Sequence, residues 1–244
     1  MRIFNLIIVI LVFSSKLHSQ NTPIIEDYIS DKTFFKEMLK ENDIYSFEYE
    51  EKNFEHNYFF KSYYQFDDNF LLKKYQQTSE SDESREYIFE YSENKRIKVY
   101  SYYNNIIEDE IIYNYLEDYI KIESSTGMDV IITFENFESD NPYLEKAVKT
   151  ISSEAIWGSI KYFLNAEDEI VAETGGGHGG FGYQIYYELD NKKPKYGYKK
   201  YFNFEGITKE STIEYLYENS LLVKIIEKEN GTNNIISSSK FKYH

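Results

Sequence analysis

The sequence predicts a mainly β fold: an antiparallel meander of successive hairpins, in a single twisted sheet or an open barrel-like wrap, with two short helices. Three observations carry this expectation. Branched and aromatic residues alternate with polar ones through most of the chain, which is the period-two signature of a half-buried strand. Short corners rich in Asn, Asp and Glu recur between these stretches. The composition, with Tyr 26 and Phe 18 against Pro 3 in 244 residues, suits pleated surfaces.

The chain divides into a leader and one β-rich domain. Arg2, the apolar run from Ile3 to Phe13 and the polar Ser14 to Ser19 have the order of a secretory signal. The apolar run is about half of what a helix needs to cross a bilayer. Residues 1–19 are therefore read as a signal peptide and 20–244 as a single domain of an exported protein. In that domain Pro23 opens a helix over about 23–41, because Ile25, Tyr28, Ile29, Phe35, Met38 and Leu39 recur near helical spacing. Tyr45, Phe47 and Tyr49 then face one way, and Ser46, Glu48 and Glu50 the other. Ile111, Tyr113 and Tyr115, then Ile120 and Ile122, continue the alternation. A second helix over about 142–153 is signalled by Asn141 as cap, Pro142 at the first position, and Leu144, Ala147, Val148 and Ile151 on one face.

The corners share a plan. At Phe66-Asp-Asp-Asn, Tyr91-Ser-Glu-Asn, Tyr115-Leu-Glu-Asp and Tyr217-Glu-Asn-Ser an aromatic ends a strand, a short polar turn follows, and an apolar strand with a lysine begins. Phe66 to Tyr91 is 25 positions and Tyr91 to Tyr115 is 24, a period expected of repeated hairpins. Tyr91-Ser-Glu-Asn-Lys-Arg-Ile and Tyr217-Glu-Asn-Ser-Leu-Leu resemble the tyrosine-aspartate hairpin repeats of bacterial exported proteins, a likeness over about half the chain. The resemblance departs at Ser92 and Glu218, where that family favours aspartate, and at Lys95 and Leu221, where it favours glycine. It implies stacked antiparallel hairpins and export, and carries over no site.

Charge and cysteine content narrow the function. Without Arg2 and Lys16 the mature chain has 25 basic against 42 acidic residues, about −17. That sign disfavours nucleic acid and anionic membrane surfaces. No second apolar stretch approaches spanning length, so no helical membrane span is expected in the mature chain. With no cysteine there is no disulfide, no cysteine nucleophile and no lipid anchor through a terminal cysteine. The expected location is the periplasm, the cell surface or the medium.

The most distinctive local feature is Thr174-Gly-Gly-Gly-His-Gly-Gly-Phe-Gly-Tyr183, which holds six of the eleven glycines in eight positions. Gly176, Gly177, His178, Gly179, Gly180 and Phe181 form the candidate ligand-binding loop. The competing reading is a crossover loop, or a glycine strand packed beneath an aromatic. A phosphate loop is rejected, because Phe181, Tyr183, Ile185 and Tyr187 lead into a strand rather than a helix. No catalytic residue, metal site or cofactor is assigned. His56 and His178 are not at ligand spacing, and the acidic clusters Asp67-Asp68-Asn69 and Glu108-Asp109-Glu110 lack a calcium-loop pattern. The only tryptophan, Trp157, is read as core. Three functions remain: a noncatalytic exported scaffold that binds another protein or a cell-surface polymer, a small-ligand or glycan module using Gly175 to Gly182, and a hydrolase with unidentified acids.

Overall fold

A computed structural model describes residues 33–244, apart from 80–82, 128, 138–140, 156–157, 178–179 and 233. The leader and residues 23–32 of the first expected helix lie outside the described residues. That helix is present over the rest of its length as α1 (Thr33–Glu41). Sixteen strands follow: β1 (Ser46–Asn53), β2 (Tyr58–Phe66), β3 (Leu72–Ser79), β4 (Ser84–Ser92), β5 (Lys95–Tyr103), β6 (Ile106–Tyr115), β7 (Tyr119–Ser124) and β8 (Val130–Asn136). The second half comprises β9 (Lys149–Ala155), β10 (Gly158–Leu164), β11 (Ile170–Gly177), β12 (Gly182–Asp190), β13 (Lys193–Asn203), β14 (Gly206–Glu218), β15 (Leu221–Glu229) and β16 (Ile235–Tyr243).

Each strand pairs antiparallel with the next, as a meander requires, but the sheet is not open. β1 pairs with β16 from Phe47↔Tyr243 to Asn53↔Ser237, closing a barrel. Closure leaves no free sheet edge for strand lysines to guard. Lys98 and Lys121 instead make ion pairs with Glu110 (2.8 Å) and Glu123 (2.6 Å).

The second expected helix is absent. Asn141 and Pro142 do start a turn, but it is a single 3-10 turn, Pro142–Leu144, with Leu144 N–H donating to the Asn141 carbonyl at 2.9 Å. From Lys149 the chain is β9, where Thr150, Ile151, Ser152 and Ser153 pair with both β8 and β10. Branched and hydroxyl side chains prefer that setting to a helix. Leu144 and Ala147 share a face as expected, but they bury it on the outer wall of the barrel, with Phe137, Phe163 and Ala172.

Turn chemistry explains the hairpins. Glu93-Asn94, Asn104-Asn105, Asn191-Lys192 and Asn219-Ser220 each place two successive residues at positive φ, between 48° and 69°. This is the two-residue turn whose twist matches the flanking strands, and Asn tolerates it well.

The pairing registers put one set of side chains on a continuous inner face: Phe47, Tyr64, Tyr75, Tyr87, Val99, Ile111, Ile122, Val130 and on to Phe241. Their rings pack in sequence, Phe47 on Tyr64 at 4.4 Å, Tyr64 on Tyr75 at 4.8 Å and Tyr75 on Tyr87 at 5.6 Å between centroids. Helix α1 closes the end of the barrel from which β1 starts. Phe35, Met38 and Leu39 are fully buried, and Phe35 lies 5.1 Å from Phe47 and 5.6 Å from Phe241.

The outer face is the reverse. Lys61–Glu50, Lys74–Glu86, Lys98–Glu110, Lys200–Glu210, Lys228–Glu214 and Lys242–Glu48 form ion pairs between adjacent strands around the wall.

Candidate functional site

At the helix end, three hairpins are fastened in the same way. The register slips by one residue opposite Leu72, Pro194 and Leu222, which takes their neighbours Lys73, Lys195 and Val223 out of the ladder. In each case the carbonyl beside the slip accepts a tyrosine hydroxyl from the following strand: Tyr91 to Leu72 (3.0 Å), Tyr217 to Pro194 (3.0 Å) and Tyr243 to Leu222 (2.5 Å). Burial pushes the Tyr217 and Tyr243 hydroxyls well above the ordinary tyrosine range, with a further rise from Tyr215 at the first and from Tyr217 at the second. Tyr91 and Tyr217 are two of the aromatics that mark the repeated corners. Their shared role is structural.

The interior becomes polar toward β11–β16. Glu227 and Glu173 are 8% and 6% exposed, unusual for carboxylates unless they are bonded. Glu227 accepts the hydroxyls of Tyr201 (2.8 Å) and Ser211 (2.6 Å), with Lys199 Nζ at 3.9 Å, and Glu173 accepts that of Tyr187 (2.8 Å). Tyr49 donates to Glu51 (2.6 Å). Burial raises the Tyr49, Tyr187 and Tyr201 hydroxyls, and the adjoining carboxylate raises each further. At the rim Tyr58, its ring 41% exposed, has its hydroxyl pushed up to about 12 by burial and by Glu51. These hydroxyls are held neutral as donors. The sequence carried no signal for this network, since Glu173 and Glu227 are two among 42 acids.

Two depressions bear on the site among the described residues. A gap of about 40 Å³ lies beneath α1, bounded by Phe34, Glu37, Glu169, Ile170 and Tyr187. That is room for a water or two. An open recess of about 410 Å³ lies at the rim of the opposite end, lined by the outer-face Glu154, Ser159 and Phe202 and by Ala155, Gly158 and Gly177 of the inward row, within the range of small-ligand sites.

The recess is where the glycine motif lies. Of the six candidate binding residues, His178 and Gly179 fall outside the described residues, as does Trp157. Gly176, Gly177, Gly180 and Phe181 all line the recess, with Glu154, Ser159 and Phe202. Gly175 to Gly177 belong to β11 and Gly182 opens β12, so most of the motif is strand rather than loop.

Three of the glycines make room for their neighbours. A Cβ on Gly175 would lie 2.4 Å from the Tyr183 ring on the inner face, and one on Gly182 would lie 2.8 Å from the Phe202 ring on the outer face. One on Gly158 would lie 2.9 Å from the Gly176 carbonyl oxygen. Gly176 differs, because a Cβ there would meet only the Phe181 carbonyl at 3.7 Å. Phe181 and Phe204 rings meet edge to face at 5.8 Å, and Phe204 is 75% exposed.

No family model matches the chain, and no curated protein is detectably similar to it in sequence. Among solved structures it is similar in fold to a porin-like protein from Bacteroides uniformis, at 10% identity and a TM-score of 0.35, covering 82% of this chain and 98% of that one. It is also similar to a porin-like protein from Bacteroides vulgatus, at 12% identity and a TM-score of 0.37, covering 83% and 99%. The structure defines a closed antiparallel β-barrel protein.

Proposed function

We propose that this chain is an exported, noncatalytic barrel that stands in water and works by binding, with the recess at the glycine hairpin as its point of contact. One observation carries the reading: the barrel is charged outside and, beneath α1, packed with aromatic rings inside. A wall facing lipid is apolar, and each Lys at bilayer mid-depth costs about 2–4 kcal/mol. The lysines of six ion pairs lie on this wall, on β2, β3, β5, β13, β15 and β16. A sixteen-strand barrel serving as a pore keeps a water-filled lumen, whereas here α1 and the rings of Phe35, Phe47 and Phe241 pack together inside one end. The small-ligand reading is favoured by the size of the recess, and the two readings join if the scaffold's partner is a polymer.

The mature chain, residues 20–244, is expected to stay monodisperse without detergent and to give no conductance when added to planar bilayers. Discrete channels, or a need for detergent to keep it in solution, would overturn the proposal.

A further inference from the structure

We infer that the outer row Glu154, Ser159, Gly176, Gly182, Phe202 is a binding site for a neutral polysaccharide chain. The inference rests on the water-facing reading, because lipid would cover this wall.

The row follows from the registers. Glu154 pairs with Ser159, Ser159 with Gly176, Gly176 with Gly182, and Gly182 with Phe202, so one pleat line crosses five strands from β9 to β13. Ser159 and Phe202 are three strand spacings apart, about 14 Å. The two positions between them have no side chain. Because the Phe202 ring covers Gly182, the open floor lies at Gly176, with the Glu154 carboxylate and Ser159 hydroxyl on one side and that ring on the other. The Phe202 ring leans over Gly182, into the space its Cβ would need. Phe181, 56% exposed, overhangs the Gly176 side.

The chemistry selects the occupant. The main-chain groups of β10 to β13 bond within the ladder, so a peptide cannot add as a strand. What remains is an apolar ring surface for a C–H face and acceptors for hydroxyls, which is how a pyranose presents itself. Glu154 and the net acidity of the chain oppose anionic sugars.

The test uses the folded mature chain. Isothermal titration is run with cellotetraose, maltotetraose, xylotetraose and mannotetraose, and with trigalacturonate as the acidic counterpart. At least one neutral tetrasaccharide should bind with 1:1 stoichiometry, and trigalacturonate should not. Gly176→Val fills that floor, where a Cβ has room, and should weaken binding at least tenfold with circular dichroism unchanged. Phe202→Ala, a second variant should the first misfold, should do the same. No binding by any neutral sugar, equal binding of trigalacturonate, or unchanged affinity in both variants would overturn the inference. A chain that stays soluble and non-conducting yet binds no sugar would refute this site alone. Channel formation would refute the reading beneath it.

Discussion

Replacing Tyr91, Tyr217 and Tyr243 by Phe tests whether the bulge carbonyls are what those hydroxyls are for. Each change keeps the ring and removes a hydrogen bond, at 3.0, 3.0 and 2.5 Å, to the carbonyl beside a register slip, and at Tyr91 it also removes the acceptor of Arg96 Nε and Nη2, each at 3.4 Å. A hydrogen bond contributes about 0.5–1.5 kcal/mol net, and a buried acceptor left without a donor costs about 1–3 kcal/mol. About 1–2 kcal/mol per site is therefore expected. Tyr91 is remote from the other two along the sheet and should add independently, whereas Tyr217 acts on Tyr243 and that pair should couple. The triple variant should lose about 3–5 kcal/mol. For a domain of this size that lowers the melting temperature by about 6–20 °C, at about 2–4 °C per kcal/mol. Urea unfolding followed by circular dichroism measures the loss as a fall in midpoint at unchanged slope. A triple variant within about 1 kcal/mol of the parent would show that water serves those carbonyls equally well, and the latch would be refuted.

Other expectations follow from the same packing. Phe35→Ala removes the fully buried ring that joins α1 to Phe47 and Phe241, and should cost about 3–5 kcal/mol by urea unfolding. Gly175→Ala sets a Cβ against the Tyr183 ring and should cost about 1–3 kcal/mol, with the double variant Gly175→Ala/Tyr183→Ala less damaging than the two losses summed. Glu227→Ala leaves two hydroxyls and Lys199 without their acceptor inside the barrel, and should cost about 2–4 kcal/mol. At high pH the raised tyrosines set the sign. Their folded values lie above the unfolded value of about 10, with Tyr58 near 12, so the stability they contribute is complete below pH 10 and is lost as pH climbs through the folded values. Tyrosinate absorbance from these residues should appear together with loss of the β signal, and their ionisation near pH 10 with the signal intact would contradict the burial described.

What the sequence made legible was local. Alternation at Phe47 and at Ile111 and Tyr113 placed those side chains inward, and Ser92-Glu-Asn-Lys and Glu218-Asn-Ser-Leu turned out to be tight corners. Closure was hidden, because pairing of β1 with β16 joins residues about 190 positions apart and neither strand differs in pattern from the others. The bulges hid more. In Leu221-Leu-Val-Lys-Ile-Ile-Glu227 a register slip breaks the parity, so the run shows no period-two alternation while Glu227 faces inward as a hydrogen-bond acceptor. At 142–153 a real Asn-Pro turn and a real apolar face at Leu144 and Ala147 imitated a helix. The hydroxyls and branches of Thr150, Ser152 and Ser153 were the opposing signal, and strand pairing on both sides decided in their favour. The glycine motif stood out plainly, but not which glycine clears space for which ring.

The two ends of the barrel are built for different ends of the problem. Turns at the helix end carry Asp67, Asp68 and Asn69, Glu93 and Asn94, Glu117 and Asp118, and Asn219 and Ser220, and there α1 and the tyrosine latches hold the wall. At the other end the turns and strand starts bear Phe54, Ile106, Ile107, Phe181, Phe204, Ile207 and Ile235, all largely open to solvent, with Ile106 at 72%. Leu116, 50% exposed, lies in a turn at the helix end, but the most exposed apolar side chains gather at the other, as the contact proposed above would require. Stability at one pole and recognition at the other are then separable. Losses at the latches should lower melting without touching sugar affinity, and Gly176→Val should do the opposite.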